Sequence, residues 1–472
     1  MDKEYLIHDK PLKALFVFSL PMIIGNIFQQ FYTMVDSMVV GRYVSENALA
    51  AVGACYSLTN VFICIAMGGG VGASVLASRY FGARNYRKMK RSAYTALLAF
   101  LGIAVLLGAF GLLTGRKIMQ LLRTPASILD MATVYLNIYF IGLPFLFIYN
   151  VLSAMFNAIG RSRTPLYLLI FSSVLNIFLD VYMVTSLHMG VAGVAWATLI
   201  AQGISAVVSL FLFLRTLSRY TDESTGDDAP EEAGESTGNR TKEGKKPKPK
   251  VFSWEELKDM SRIALPSILQ QSTVSIGMML VQSVVNSFGP KMLAGFSAAM
   301  RIESICVVPM TAIGNAISSY AAQNIGANRL DRVQKGYRAA NLLVAAFAVV
   351  ICVVLESSYT GITSSFLGSD GTQVALRTGS NYLKFMGWFF TIIGLKMVTD
   401  GVLRGAGDMK MFTIANFVNL AIRVTFAVTM APRFGIAMIW TAVPIGWLVN
   451  FIISFSEYRT GKWQTIAEGS SR

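Results

Sequence analysis

The chain has 472 residues, 54% of them hydrophobic and only 14% charged, with a formal net charge of +15 and a mean hydropathy of +0.53. Charged residues fall well below the roughly 25% of an ordinary soluble domain, and apolar runs of about 20 residues recur along nearly the whole length, so a soluble globular protein is excluded. The ten-residue alternation of a membrane β-barrel is missing, and the basic balance is explained by topology rather than by a nucleic-acid partner.

Taken in order, the apolar runs predict an all-α integral membrane protein of twelve transmembrane helices. They lie at about 12–40, 47–77, 91–113, 131–155, 164–187 and 190–215, then at about 257–287, 293–322, 337–366, 376–403, 410–431 and 435–457. The opening MDKEYLIHDKPLK is polar and leads straight into the first helix, without a secretory signal pattern. Most of the 41 Lys and Arg residues fall in the termini and in loops after even-numbered helices. By the positive-inside rule both termini are cytoplasmic, and anionic lipid accounts for the basic excess.

Helix 1 carries one acid, Asp36, at a depth where a carboxylate costs about 2.5–3.5 kcal/mol on insertion scales. Gln29, Thr33 and Asp36 stand at i, i+4 and i+7 and so share a helix face, which should line a cavity or a helix contact. In helix 5, Asn176 and Asp180 stand at i and i+4. The competing reading of Asp180 is a solvated helix end. Two buried acids with polar neighbours are suited to binding and releasing a proton, and the same oxygens are suited to caging Na⁺; the sequence leaves both open.

The second half has its own charges: Arg301 and Glu303 in helix 8, Lys396, Asp400 and Arg404 four apart along helix 10, and Arg423 in helix 11. The four-residue spacing makes a paired ladder geometrically available. Gln29, Thr33, Asn157, Glu303, Lys396 and Asp400 are candidates for a substrate cavity, with Met278, Met279, Met300 and Met310 as adaptable wall residues. The glycines of MGGGVGAS, from Met67, lack phosphate-loop spacing and are read as close helix packing. Cys55, Cys64, Cys306 and Cys352 have no paired spacing, His8 and His188 are isolated, and no metal site, cofactor or nucleotide motif is expected.

Residues 218–250 are almost devoid of apolar residues beyond Tyr220 and read as a disordered cytoplasmic linker, in which Asp227 and Asp228 belong to a solvated charge run. It separates an N-terminal six-helix lobe, 1–217, from a C-terminal one, 251–472. The halves are repeats. Leu20-Pro21 recurs as Leu265-Pro266, Gly82-Ala83 as Gly326-Ala327, and Gly160 as Gly407. An even number of helices per repeat gives both the same orientation, with substrate handled between or within the bundles.

The stretch LPMIIGNIFQQFYTMVDSMVVGRYVSENALAAVG, the two Gly-Ala turns and LRGAGD at 403–408 together resemble the multidrug and toxic compound extrusion (MATE) family over nearly the full chain. The resemblance implies two six-helix lobes in a V and a monomer in the cell membrane. It also implies export of small cationic amphipathic compounds by antiport with H⁺ or Na⁺, with no enzymatic activity. The DinF branch is the nearer, since it keeps an acid on helix 1 and Asn-x-x-x-Asp on helix 5, matched here by Asp36, Asn176 and Asp180. Thr198 and Tyr135 match further polar positions of that ion-coupling site, and a Na⁺ would be held by Asp36, Asn176, Asp180 and Thr198. The chain departs from the NorM branch, whose helix 7 carries an acid; here QQSTVSIGMM, from Gln270, is neutral. A flippase for lipid-linked saccharide precursors is the alternative function within the wider superfamily.

Overall fold

The computed structural model describes residues 4–220, 252–367 and 372–469. Twelve long helices follow in the expected order: α1 Pro11–Val39, α2 Glu46–Gly82, α3 Tyr86–Leu121, α4 Ala126–Ala158, α5 Arg163–Val181 and α6 Gly190–Leu217, then α7 Trp254–Asn286, α8 Pro290–Gly326 and α9 Leu330–Leu367, α10 in two pieces, Gln373–Gly387 and Phe390–Gly405, α11 Met409–Thr425 and α12 Ala437–Thr460. Eleven are long and apolar enough to cross a membrane unbroken, and the two pieces of α10 form the twelfth span, bent by 56°. That break was not expected from the apolar run; it follows Gly387, where Trp388 turns outward to donate its Nε1 to Glu356 of α9 at 2.7 Å. Helices α3 and α9 also start earlier than their apolar windows, because YRKMKRS and LDRVQKG form amphipathic first turns capped or charged at their ends.

α1, α5 and α11 each finish in a π turn, Val40–Val44, Tyr182–Ser186 and Phe426–Met430. The wider turn disturbs the backbone ladder locally and is common beside functional sites. Asp36 and Asp180 each stand within one turn of such a segment.

The two halves interlock through their first helices. Ala14, Leu15 and Phe18 of α1 are buried in the core of the second half, and Met260 of α7 in the core of the first. The start of α7 is pinned by Glu256, which accepts from Tyr80 Oη at 2.9 Å and Arg91 Nη2 at 2.8 Å, and by Ser253, whose amide donates to Thr95. Tyr220, assigned to the linker by composition, is buried against Phe81 and Tyr86, so the first half extends past Leu217. The rest of the expected linker, 221–250, lies outside the described residues.

The face at the Gly82 and Gly326 turns is closed by a pair of matching contacts. An added methyl on Gly82 would overlap the Gln323 carbonyl, and one on Gly326 would overlap the Arg79 carbonyl. Arg79 Nη2 donates to Gly405 O at 3.2 Å, and Gln323 Nε2 donates to Ala158 O at 2.7 Å. Each acceptor lies two residues before a glycine at positive φ, Gly407 (73°) and Gly160 (75°), which ends its helix in the left-handed region that a side chain disfavours. The sequence repeat is thus a two-fold closure. The MGGGVGAS glycines act as read: Gly68 and Gly72 admit the α7 backbone, with a Cβ at Gly72 falling 2.7 Å from Met260 O.

Gly82→Ala and Gly326→Ala should each lower stability by about 1–3 kcal/mol through forced separation of α2 and α8. Gly102→Ala, which meets nothing within 4 Å, should be neutral or stabilising by about 0.5–1 kcal/mol. Thermal unfolding of the three variants in neutral detergent separates close approach from helix propensity, and equal effects would refute it.

Candidate functional site

The acids expected from the sequence come together. Asp36 of α1 and Asp180 of α5 lie within hydrogen-bonding reach of each other. Asp180 is fully buried and Asn176 is 2% exposed, which rules out the solvated helix end. The surrounding partners fix the Asn176 amide orientation. Its nitrogen donates to Tyr32 Oη at 2.7 Å and to Asp180 Oδ2 at 3.1 Å, while its oxygen accepts from the Thr198 amide at 3.1 Å and Oγ1 at 3.3 Å. Asp36 Oδ1 and Asp180 Oδ1 are buried without a donor among the described residues. Tyr135 and Thr198, carried over by resemblance, line one small cavity of about 20 Å³ with Tyr139 and Gln202 beside this cluster.

Tyr32 was missed. It stands one turn before Asp36, and this i, i+4 pair, rather than Gln29 and Thr33, turns toward α5. Gln29 and Thr33 are exposed, and Thr33 Oγ1 donates to the Gln29 carbonyl of its own helix at 2.9 Å. Asn157 sits in the last turn of α4, at the closed face and away from the acids.

In the second half, Lys396 Nζ lies 3.0 Å from Asp400 Oδ2, both side chains about 4% exposed. Lys396 also donates to Asn416 Oδ1 at 3.1 Å, Asn450 donates to the same oxygen at 3.2 Å, and Ser454 Oγ donates to Asp400 Oδ1 at 2.6 Å. The ladder stops there. Arg404 turns instead to α8, donating to Asn315 Oδ1 at 2.8 Å and to Gly314 O at 3.3 Å. Sequence spacing found the ion pair and missed Asn416, Asn450 and Ser454, whose only signal is polarity inside apolar runs. Glu303 is buried and accepts a hydrogen bond from Tyr382. Of the methionines, Met278 and Met300 line a cavity, Met310 is fully buried in the core, and Met279 is exposed.

The MatE family model matches residues 21–183 and 266–429. The chain belongs to the MatE family. Both matches begin at the proline of a Leu-Pro pair and run from the first to the fifth helix of each half, so the MatE unit is the internal repeat itself. The chain is 28% identical over 456 residues to "Probable multidrug resistance protein YpnP" of Bacillus subtilis, covering 96% of each. It is 28% identical over 205 residues to "DNA damage-inducible protein F" of Escherichia coli, covering 43% of this chain and 45% of that one. The DinF-like resemblance is borne out. Among solved structures, the outward-facing conformation of a multidrug resistance MATE family transporter of the MOP superfamily matches with a TM-score of 0.86 at 23% identity, covering 99% of both chains. MatE proteins are multi-span membrane transporters of small organic compounds, not enzymes.

Within this MatE chain the acid of LRGAGD has a structural place. Asp408 is buried in the turn between α10 and α11; burial, first, and the neighbouring Glu457 carboxylate push it up to about 6 against the pull of Lys462. A carboxyl raised on folding favours the protonated native state, so stability present below about pH 4 is lost as pH rises through 6. The thermal midpoint should fall between pH 4.5 and 6.5, and Asp408→Asn should flatten that fall; an unchanged profile would count against it.

The buried ion pair gives a second test. Removing one partner strands a buried charge, so Lys396→Met or Asp400→Asn alone should cost about 3–5 kcal/mol, and the double substitution less than their sum. Additive losses in thermal unfolding would show that the two side chains act independently.

Proposed function

We propose that the chain is a secondary active exporter of small cationic amphipathic compounds, driven by antiport with H⁺ bound between Asp36 and Asp180. The observation that carries this is the meeting of two carboxyl groups, half-buried Asp36 of α1 and fully buried Asp180 of α5, beside Tyr32, Asn176 and Thr198. Two ionised carboxylates so close repel each other in an apolar bundle, and a shared proton removes the repulsion. The equivalent positions in the second half are Val281 and Ala427, so only the first half carries this pair.

An antiporter works when ion and substrate each bind one conformational state better than the other. Protonation lets α1 and α5 stay together around the Asp36–Asp180 contact. A cationic substrate is favoured by the ionised pair, and so it leaves as the proton enters. The closed face at Gly82 and Gly326, read as cytoplasmic by the positive-inside rule, supports an outward-facing state in the cell membrane. Relatives include "Multidrug export protein MepA" of Staphylococcus aureus, 22% identical over 447 residues. Sodium in place of the proton would use Asp36, Asn176, Asp180 and Thr198 as oxygen ligands.

Ethidium efflux from proteoliposomes under separately imposed proton and sodium gradients tests the proposal. The proton gradient alone should drive efflux, and Asp36→Asn and Asp180→Asn should each reduce it to the level of empty liposomes while the protein inserts normally. Wild-type rates in either variant would refute the coupling site, and drive by sodium alone would replace the proton with Na⁺.

A further inference from the structure

The two repeats place opposite chemistry at equivalent points. Counted from Gly160 and Gly407, Tyr135 matches Tyr382 and Asn176 matches Arg423; counted from the two Leu-Pro pairs, Asp36 matches Val281. Eight residues after Gly190 and Gly435, both at positive φ, stand Thr198 and Val443. Val281, Tyr382, Arg423 and Val443 line a single cavity of about 60 Å³, with Phe296 and Trp440 among its apolar walls. It is the counterpart of the carboxyl site, with the acid replaced by valine and the amide by a guanidinium.

Arg423 is the only charged residue on that wall. Its Nη2 donates to Met278 Sδ at 3.2 Å, a weak acceptor. No carboxylate lies within 4.0 Å of it among the described residues. Glu303 feels its charge but is occupied by the Tyr382 hydroxyl and does not line the cavity. A guanidinium with unused donors in an apolar chamber is matched by a planar, bidentate anion. The volume decides the size: a cavity of about 60 Å³ has room for a small polar head such as a carboxylate and is far smaller than a drug-sized pocket of ~300–1,000 Å³. Met278, Gln282 and Met300 are partly exposed, which leaves a way out for an apolar tail.

We infer that the second-half cavity is a carboxylate-binding subsite for amphipathic anions, with Arg423 holding the head and Phe296 and Trp440 packing the first part of the tail. The chain then has two ligand sites of opposite polarity, one per repeat. This inference stands independently of the proton-coupling proposal, because it needs neither Asp36 nor Asp180.

The test is equilibrium binding to the full chain in neutral maltoside detergent, by isothermal calorimetry, with four ten-carbon probes: decanoate, decyl phosphate, decanol and decyltrimethylammonium. Decanoate should bind on the order of tenfold more tightly than decanol. Arg423→Met should bring decanoate down to the decanol level without changing decanol, and Arg423→Lys should keep most of the preference. Equal binding of decanoate and decanol, or decanoate binding unchanged in Arg423→Met, would overturn the inference. A preference for decyltrimethylammonium would overturn the anionic class, and a preference for decyl phosphate the carboxylate head.

Discussion

A polar group inside an apolar bundle has no water to turn to, and the main polar contacts of this structure answer that constraint. The Asp36 and Asp180 carboxyls meet each other, Lys396 meets Asp400, Glu303 takes the Tyr382 hydroxyl, and the helix ends at the closed face are satisfied by Arg79 and Gln323 reaching across the repeat. Removing any one partner leaves the other stranded at a cost of about 1–3 kcal/mol or more. The polar residues therefore specify which helices adjoin, while the apolar residues supply non-specific burial.

The repeat turns this into function. Duplication supplied two similar six-helix halves, joined so that Gly82 and Gly326 lie back to back and the first helix of each half roots itself in the other. A movement of one half is then felt by the other through α1 and α7. With symmetric scaffolding and asymmetric chemistry, one half holds a pair of acids where the other has Val281 and Ala427, and the second half places Arg423 where the first has Asn176.

Much of the architecture was legible because its causes are one-dimensional. Apolar length sets the helix count, and repeated motifs give the two-fold relation. Gly82 and Gly326 were visible as recurring glycines, though not the carbonyl contact that excludes a side chain there. Asp36, Asn176 and Asp180 were legible because ionisable and amide groups in apolar runs are costly. Tyr32, Asn416, Asn450 and Ser454 were not, since tyrosine, asparagine and serine acquire their roles only from neighbours on other helices. The bend after Gly387 was hidden for the same reason: the indole–carboxylate bond from Trp388 to Glu356 joins α10 to α9, and nothing local to either helix announces it. Arg404 shows the converse error, since its four-residue spacing from Asp400 suggested a pairing that Asn315 and Gly314 of α8 win.

The central claim is that a proton and a cationic substrate compete for the Asp36–Asp180 pair. The most direct measurement is proton release on substrate binding: ethidium is added to purified protein in weakly buffered detergent solution containing a pH indicator, with and without sodium. The account predicts about one proton released per ethidium bound, independent of sodium, and none from the Asp36→Asn/Asp180→Asn double variant. Ethidium binding without proton release in the wild type, or release that persists in the double variant, would contradict it.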